Sequence, residues 1–290
     1  MKSPGSEPWT VRRLIRWGSE WLEKHGIDQP RLDVELLLAD AICLNRMGLY
    51  LDMDRPLDKV ELAGFKSRIK RRSQREPVAY ILGKRDFWKQ SFSVDSAVLI
   101  PRPETETLID SVLTLYPDHG ATFTILDIGV GSGAILYSLL GEFPRTSGFG
   151  VDLSAEALRV AEKNRDQLNL KDRVTLFNGD LTAPLPKNQS YSLIVSNPPY
   201  IESSELEQLQ PEVVEQEPRL ALDGGEDGLD IYRRLIPQTF PLLNQSGWLV
   251  VEIGYNQGKS VAALFAEAGY KQVAIVKDYG KRDRVVIGTK

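Results

Sequence analysis

Ile125-Leu126-Asp127-Ile128-Gly129-Val130-Gly131-Ser132-Gly133-Ala134 is the stretch that decides the fold. A short, largely apolar run breaks at three alternating glycines, and Ala134 then opens an apolar stretch of helical length through Phe143. A strand that turns into a helix through glycines belongs to a βαβ unit. The rest of the carboxyl-terminal part repeats the alternation. Phe149–Asp152 is expected as the second strand, Ser154 as the cap of a helix through Leu168, Val174–Phe177 as the third strand and Tyr191–Ser196 as the fourth. A helix near Leu229–Leu243 precedes a strand at Trp248–Ile253, and a helix over Gln257–Ala268 leads to strands at Gln272–Val276 and Arg284–Ile287. Such alternation predicts an α/β fold, a mostly parallel seven-stranded sheet with helices on both faces. The short link Lys277–Asp283 makes the last two strands an antiparallel edge hairpin.

The glycines permit a tight turn and close approach of a ligand to the backbone. The turn is also expected to expose helix amino-terminal amides, which favour an anionic or carboxylate group. Asp152 ends the next strand, where a carboxylate can accept both hydroxyls of a ribose. The pattern has two readings. Gly129, Gly131 and Ala134 satisfy the dinucleotide pattern G-x-G-x-x-A of a nicotinamide oxidoreductase. A G-x-G-x-G loop followed by an acid equally fits S-adenosylmethionine.

Asn197-Pro198-Pro199-Tyr200 separates the two. The prolines end the fourth strand, because proline has no ladder donor and pushes its predecessor out of the helical region. Asn197 therefore lies at a strand's carboxyl end, where open α/β sheets bind ligands. Its side-chain carbonyl and the Pro198 backbone carbonyl are two convergent acceptors, suited to an NH2 group on a planar system. Tyr200 offers an aromatic face for that plane. An oxidoreductase has no evident need of such a pair; a methyltransferase acting on a planar NH2 does.

The whole chain sets wider limits. Its 290 residues exceed one typical domain, and 42% hydrophobic with 26% charged residues is ordinary for a globular protein. With 36 basic and 40 acidic residues the net charge is −4, which disfavours a dedicated nucleic-acid binder. A lone cysteine, Cys43, excludes an internal disulfide and fits a reducing cytoplasm; its apolar neighbours mark it as a core residue. His25 and His119 have no ligand partner at short spacing, so no metal site is expected. Met1–Trp9 holds no apolar segment of signal-peptide length, and no run reaches membrane-span length. A cytoplasmic protein is expected.

The first 75 residues read as helices. Thr10 caps one carrying Leu14, Trp17, Trp21 and Leu22; Pro30 starts a second with Leu32, Leu36, Leu37 and Ala41 on one side; Asp58 and Glu61 form a capping box for a third. The third ends in the basic run Lys66, Arg68, Lys70, Arg71, Arg72 and Arg75, either a solvated face or a docking surface. Val78–Gly83 and Phe87–Val94 are expected as two strands around a Gly-Lys-Arg-Asp turn.

Together the motifs resemble the HemK/PrmC family of peptide chain release factor glutamine methyltransferases over nearly the whole chain. The matching segments are Glu76–Gly83, Ile100-Pro101-Arg102-Pro103-Glu104-Thr105-Glu106, Asp127–Ala134, Asn197–Tyr200 and Glu217-Pro218-Arg219-Leu220-Ala221-Leu222. Asn-Pro-Pro-Tyr alone is shared with adenine-N6 DNA methyltransferases, and a sister family modifies glutamine on a ribosomal protein. The resemblance implies a helical substrate-recognition domain over 1–75, a linker with a β-hairpin over 76–103, and a Rossmann-like class I S-adenosylmethionine-dependent methyltransferase domain over 104–290. It implies that Gly129, Val130, Gly131, Ser132 and Gly133 line the methionine part of S-adenosylmethionine, that Asp152 holds its ribose, that Asp180 and Leu181 border its adenine, and that Asn197 touches it. Family members often carry an aromatic residue where this chain has Leu181, and Thr where it has Val130. Arg102–Thr105 would shape the wall near the sulfonium, while Glu217–Leu222 receives no role. Asn197, Pro198, Pro199 and Tyr200 would bind the substrate amide, with Asn197, Pro198 and Tyr200 catalytic. The implied product is S-adenosylhomocysteine and the implied partners are class I release factors, with no membrane or direct nucleic-acid contact.

Overall fold

The computed structural model describes residues 8–290. Residues 1–7, most of the stretch read above as lacking a signal-like segment, lie outside the described residues. The chain divides into two compact units, at Gly83/Lys84.

Among its described residues the first unit holds five helices: α1 (Val11–Lys24), α2 (Pro30–Ala41), α3 (Arg46–Leu51), α4 (Lys59–Ser73) and α5 (Val78–Leu82). Thr10 caps α1 by accepting from the Arg13 amide, Pro30 occupies the first turn of α2, and Asp58 and Glu61 close a reciprocal box on α4. Leu14, Leu22, Val34, Leu37, Leu38 and Phe65 are fully buried. The core face of α2 is thus Val34, Leu37 and Leu38, rotated from the expected one; Leu32, Leu36 and Ala41 are half-buried.

That rotation also buries Glu35, at 1% exposure. A buried carboxylate needs partners, and it accepts from Arg31 at 3.0 Å, Arg46 at 2.7 Å and Tyr50 at 2.5 Å. Two of these belong to α3, a helix of six residues too short to show a period in sequence. Cys43 is exposed, contrary to expectation, because it turns the chain out of α2 with a left-handed φ of 55°. The basic run is largely taken up within the unit: Arg68 pairs with Asp40 and Arg72 with Asp33, both at 2.7 Å, Arg71 pairs with Glu76, and the Lys66 ammonium sits 5.9 Å from the centre of the Trp9 ring.

Val78–Leu82 is helix, not strand. A short apolar run without alternation suits a buried helical turn equally well; Pro77 precedes it and Gly83 ends it with φ 69°. The hairpin lies later, as β1 (Lys84–Phe87) and β2 (Gln90–Ser93), and belongs to the second unit.

The second unit continues with α6 (Glu106–Leu115), β3 (Thr124–Ile128), α7 (Ala134–Glu142), β4 (Ser147–Asp152), α8 (Ala155–Gln167), β5 (Val174–Asn178), β6 (Tyr191–Ser196), α9 (Pro211–Gln216), α10 (Asp230–Thr239), β7 (Leu243–Glu252), α11 (Gly258–Glu267), β8 (Lys271–Lys277) and β9 (Asp283–Thr289). The seven strands run β5-β4-β3-β6-β7-β9-β8. The first five are parallel, and β9 is antiparallel to both neighbours. Helix α10 ends earlier and β7 starts earlier than expected: Leu243 already pairs with Tyr191, and the register then slips so that Leu193 meets Trp248. The chain leaves β3 toward β4 and later returns to its other side at β6. This reversal opens a crevice at the carboxyl ends of β3 and β6. Among the described residues no helix is long and apolar enough to cross a membrane.

Candidate active site

The crevice is a cavity of about 240 Å³. Gly129, Val130, Gly131, Ser132, Asp152, Asp180, Leu181, Asn197, Pro198 and Pro199 all line it. Gly133 and Tyr200 are not among the lining residues.

The glycine loop is closed on itself. The Gly129 and Val130 amides donate to the Val151 carbonyl at 2.8 and 2.9 Å, and the Gly131 amide donates to Asp152 Oδ2 at 2.8 Å. The expected free amides are therefore mostly engaged, and the loop offers shape instead. A side-chain carbon at Gly129 would meet nothing closer than the Asn197 carbonyl at 4.0 Å, and one at Gly131 nothing closer than the Gly129 carbonyl at 4.0 Å. Gly133 serves the fold: its φ is 83°, and an added carbon would fall 2.1 Å from the Tyr137 ring.

Asp152 also accepts from the Ser154 amide at 2.9 Å through Oδ1. Each oxygen keeps a second lone pair for a ligand hydroxyl. Burial raises its carboxyl above the usual range against these backbone bonds. Asp127, beneath the loop, is fully buried with no hydrogen-bond partner on either oxygen, and burial pushes it well above that range. Asp180 forms an ion pair with Arg234, and Leu181 adopts a left-handed φ of 49°.

Across the cavity, Ser196 Oγ donates to the Ile128 carbonyl at 2.6 Å and pins β6 to β3 at the start of the second loop. Asn197 Nδ2 donates to Thr105 Oγ1 at 3.4 Å. Its Oδ1 is then the end left to accept. The Tyr200 ring packs in the apolar cluster with Tyr232 and Leu235, its hydroxyl donates to Glu252 Oε1 at 3.4 Å, and its carbonyl accepts from Gln257 Nε2 at 2.9 Å.

Four residues escaped the reading of the sequence. Glu217 is 6% exposed and accepts from the Ile100 amide at 3.2 Å and from Arg102. It thereby ties Pro218, Leu220 and Ala221 to the Val98–Arg102 wall; both segments line the cavity. Asn164 bonds the Ser132 carbonyl at 2.8 Å and both backbone groups of Ser93, joining the glycine loop to the hairpin. Gln257 spans the Tyr200 and Gly228 carbonyls. Glu252 ends β7 at 1% exposure. Burial pushes its carboxyl up to about 7. An acid beside Pro218 and one ending an apolar strand were the only local hints.

Two family models match: the PrmC N-terminal domain over residues 13–83 and the methyltransferase small domain over residues 105–246. A release factor glutamine methyltransferase of Caulobacter vibrioides is 46% identical over 93% of this chain and 92% of its own length. One of Geobacter sulfurreducens is 44% identical over 97% of each chain. The chain belongs to the release factor glutamine methyltransferase family.

As a member of that family it is a methyl-transferring enzyme, and the nicotinamide reading of the glycine loop falls away. A methyltransferase from Pyrococcus furiosus, 18% identical, covers 69% of this chain and 88% of its own with a TM-score of 0.50, which speaks for the fold alone. The family's donor must fit the cavity, and two features suit a nucleoside joined to an amino-acid tail. The space over Gly129 and Gly131 is open to a close ligand, and Asp152 stands at its edge with acceptor capacity left.

Proposed function

We propose that this enzyme methylates the side-chain amide nitrogen of the glutamine in the Gly-Gly-Gln loop of class I peptide chain release factors, using S-adenosylmethionine. The observation that carries the reading is the polarity of Asn197: its amino end is engaged by Thr105, and its oxygen remains as acceptor on a cavity shared with the glycine loop. Family membership names the substrate class.

Gly129, Val130, Gly131 and Ser132 would hold the methionine part of the donor, Asp152 its ribose, and Asp180 with Leu181 its adenine. When bound, S-adenosylmethionine supplies an electrophilic methyl on a sulfonium and leaves as S-adenosylhomocysteine. A glutamine amide is a weak nucleophile because its lone pair is delocalised into the carbonyl. Asn197 Oδ1 and the Pro198 carbonyl accept its two hydrogens, orient the nitrogen and favour the positive charge that develops there. Pro198 and Pro199 shape the slot for the amide. Tyr200 acts from behind the loop, through Glu252 and Gln257, rather than as a stacking face. The apolar lining keeps water away.

Incubating the enzyme with donor and a class I release factor, then mapping the product by mass spectrometry, tests the reading. One methyl group on the Gly-Gly-Gln glutamine supports it. Methylation of a ribosomal-protein glutamine or of adenine in nucleic acid, with the release factor untouched, refutes it.

A further inference from the structure

Charge is spread unevenly over the cavity wall. Asp152, Asp180 and Asp223 are its acidic residues, and among the described residues Arg102 is the one cation on the lining. The Thr105 amide donates to the Arg102 carbonyl at 3.1 Å, and Thr105 Oγ1 meets Asn197 Nδ2 at 3.4 Å. Arg102 therefore stands one tight turn from the residue that touches Asn197. A methyl group passing to a nitrogen held by Asn197 starts close to Asn197, so the sulfonium that carries it lies on the side of the cavity that Arg102 walls. A guanidinium keeps its charge at any working pH, and two cations at short range repel.

Glu217 answers that charge. Its side chain is 2% exposed; Oε1 accepts from Arg102, and Oε2 accepts from the Ile100 amide at 3.2 Å. Both oxygens thus meet the wall segment that carries the arginine. Backbone bonds fix the carboxylate in place. Glu217 ends α9, its amide donating to the Val213 carbonyl at 3.1 Å. The segment that bears it closes at its neck beside Tyr200, where the Ile201 amide donates to the Leu222 carbonyl at 3.0 Å and the Gly224 amide to the Ile201 carbonyl at 2.8 Å. A partly buried pair held in this way is screened little by salt. We propose that Glu217 is a specificity-determining residue: by holding the Arg102 charge it keeps the cavity fit for a cationic sulfonium. The role rests on the reading of S-adenosylmethionine as donor.

Selectivity is a difference between two affinities. S-adenosylmethionine and S-adenosylhomocysteine share adenine, ribose and amino-acid tail, and differ by one methyl group and the charge on sulfur. Residues that hold the shared parts act on both ligands alike. A wall charge beside the sulfur acts on the donor alone. With Arg102 paired, the wall does not oppose the donor; with Arg102 unpaired, it does, and the neutral product is spared. A clamp that merely held the wall together would change both affinities alike. So would an arginine that reached for the carboxylate of the tail.

The test is the calorimetric affinity of the full-length enzyme for S-adenosylmethionine and for S-adenosylhomocysteine. Glu217→Gln keeps an acceptor for the Ile100 amide and loses the charge. It should weaken donor binding about tenfold and product binding less than about threefold. Adding Arg102→Met removes the orphaned cation and should return the donor-to-product ratio to within about threefold of wild type. If Glu217→Gln does not fold, Arg102→Met alone decides, and its ratio should hold or move toward the donor. Three results overturn the proposal while leaving the donor reading intact. They are an unmoved ratio in Glu217→Gln, whether both affinities fall or both rise; a ratio that the added Arg102→Met does not restore; and a shift toward product in Arg102→Met alone. A wild-type enzyme that binds neither ligand overturns the donor reading and this proposal with it.

Discussion

The loops on the two sides of the crevice, residues 129–133 and 197–200, face one cavity and are built in opposite ways. The first is local: the amides of Gly129, Val130 and Gly131 are satisfied by Val151 and Asp152 of the adjacent strand, and the conformation rests on positive φ at three glycines. The second is held from a distance, by Thr105 before α6, Glu252 at the end of β7 and Gln257 before α11. A pocket for a donor needs a fixed shape, which backbone supplies. An acceptor pair for a weak nucleophile needs a chosen polarity, which only side chains from elsewhere supply. The first loop should therefore govern binding, and the second the rate.

Asn197→Ala should break the second loop most. Removing one preorganised hydrogen-bonding group at a developing charge costs about 10²–10³ in rate, read as single-turnover methylation. Gly133→Ala should break the first loop through the fold, because the new carbon falls on the Tyr137 ring at an unfavourable φ. A loss of roughly 2–4 kcal/mol is expected in urea unfolding, and a loss below about 0.5 kcal/mol would show that the ring gives way. Glu252 separates the two loops by pH. Its carboxyl is raised from 4.5 to about 7 on folding, so the folded state binds more protons than the unfolded between those values. Stability should then fall as pH rises through that window, a decline that Glu252→Gln should flatten in thermal melts. Smallest of all, Lys66→Ala removes an exposed cation from the Trp9 face in the first unit and should cost about 0.5 kcal/mol or less, with methylation rate in the second unit unchanged.

The same contrast explains what could be read in advance. The seven strands, their parallel run and the edge hairpin follow from apolar runs and glycine punctuation, which are local signals. Thr10, Ser154 and the Asp58–Glu61 box were legible for the same reason. Val78–Leu82 misled because five apolar residues between Pro77 and Gly83 carry no period. Cys43 misled because its neighbours are apolar while its backbone is left-handed. The glycines, Asp152 and Asn197 could be named from sequence, since strand ends collect in one crevice. Glu217, Asn164, Gln257 and Glu252 could not: each acts on a segment distant in the chain, and a lone polar residue carries no sign of its partner. Tyr200 was recognised within its motif, but its ring packs in the core behind the loop, because its hydroxyl finds Glu252.

The division of labour is tested most directly by crossing two variants. Donor affinity by calorimetry and single-turnover rate at saturating donor are measured for Asp152→Asn and Asn197→Ala. Asp152→Asn should weaken donor binding about 10–100-fold with a near-normal saturated rate, and Asn197→Ala should keep donor affinity within about threefold and lose the rate. Loss of both quantities together in both variants would contradict the account.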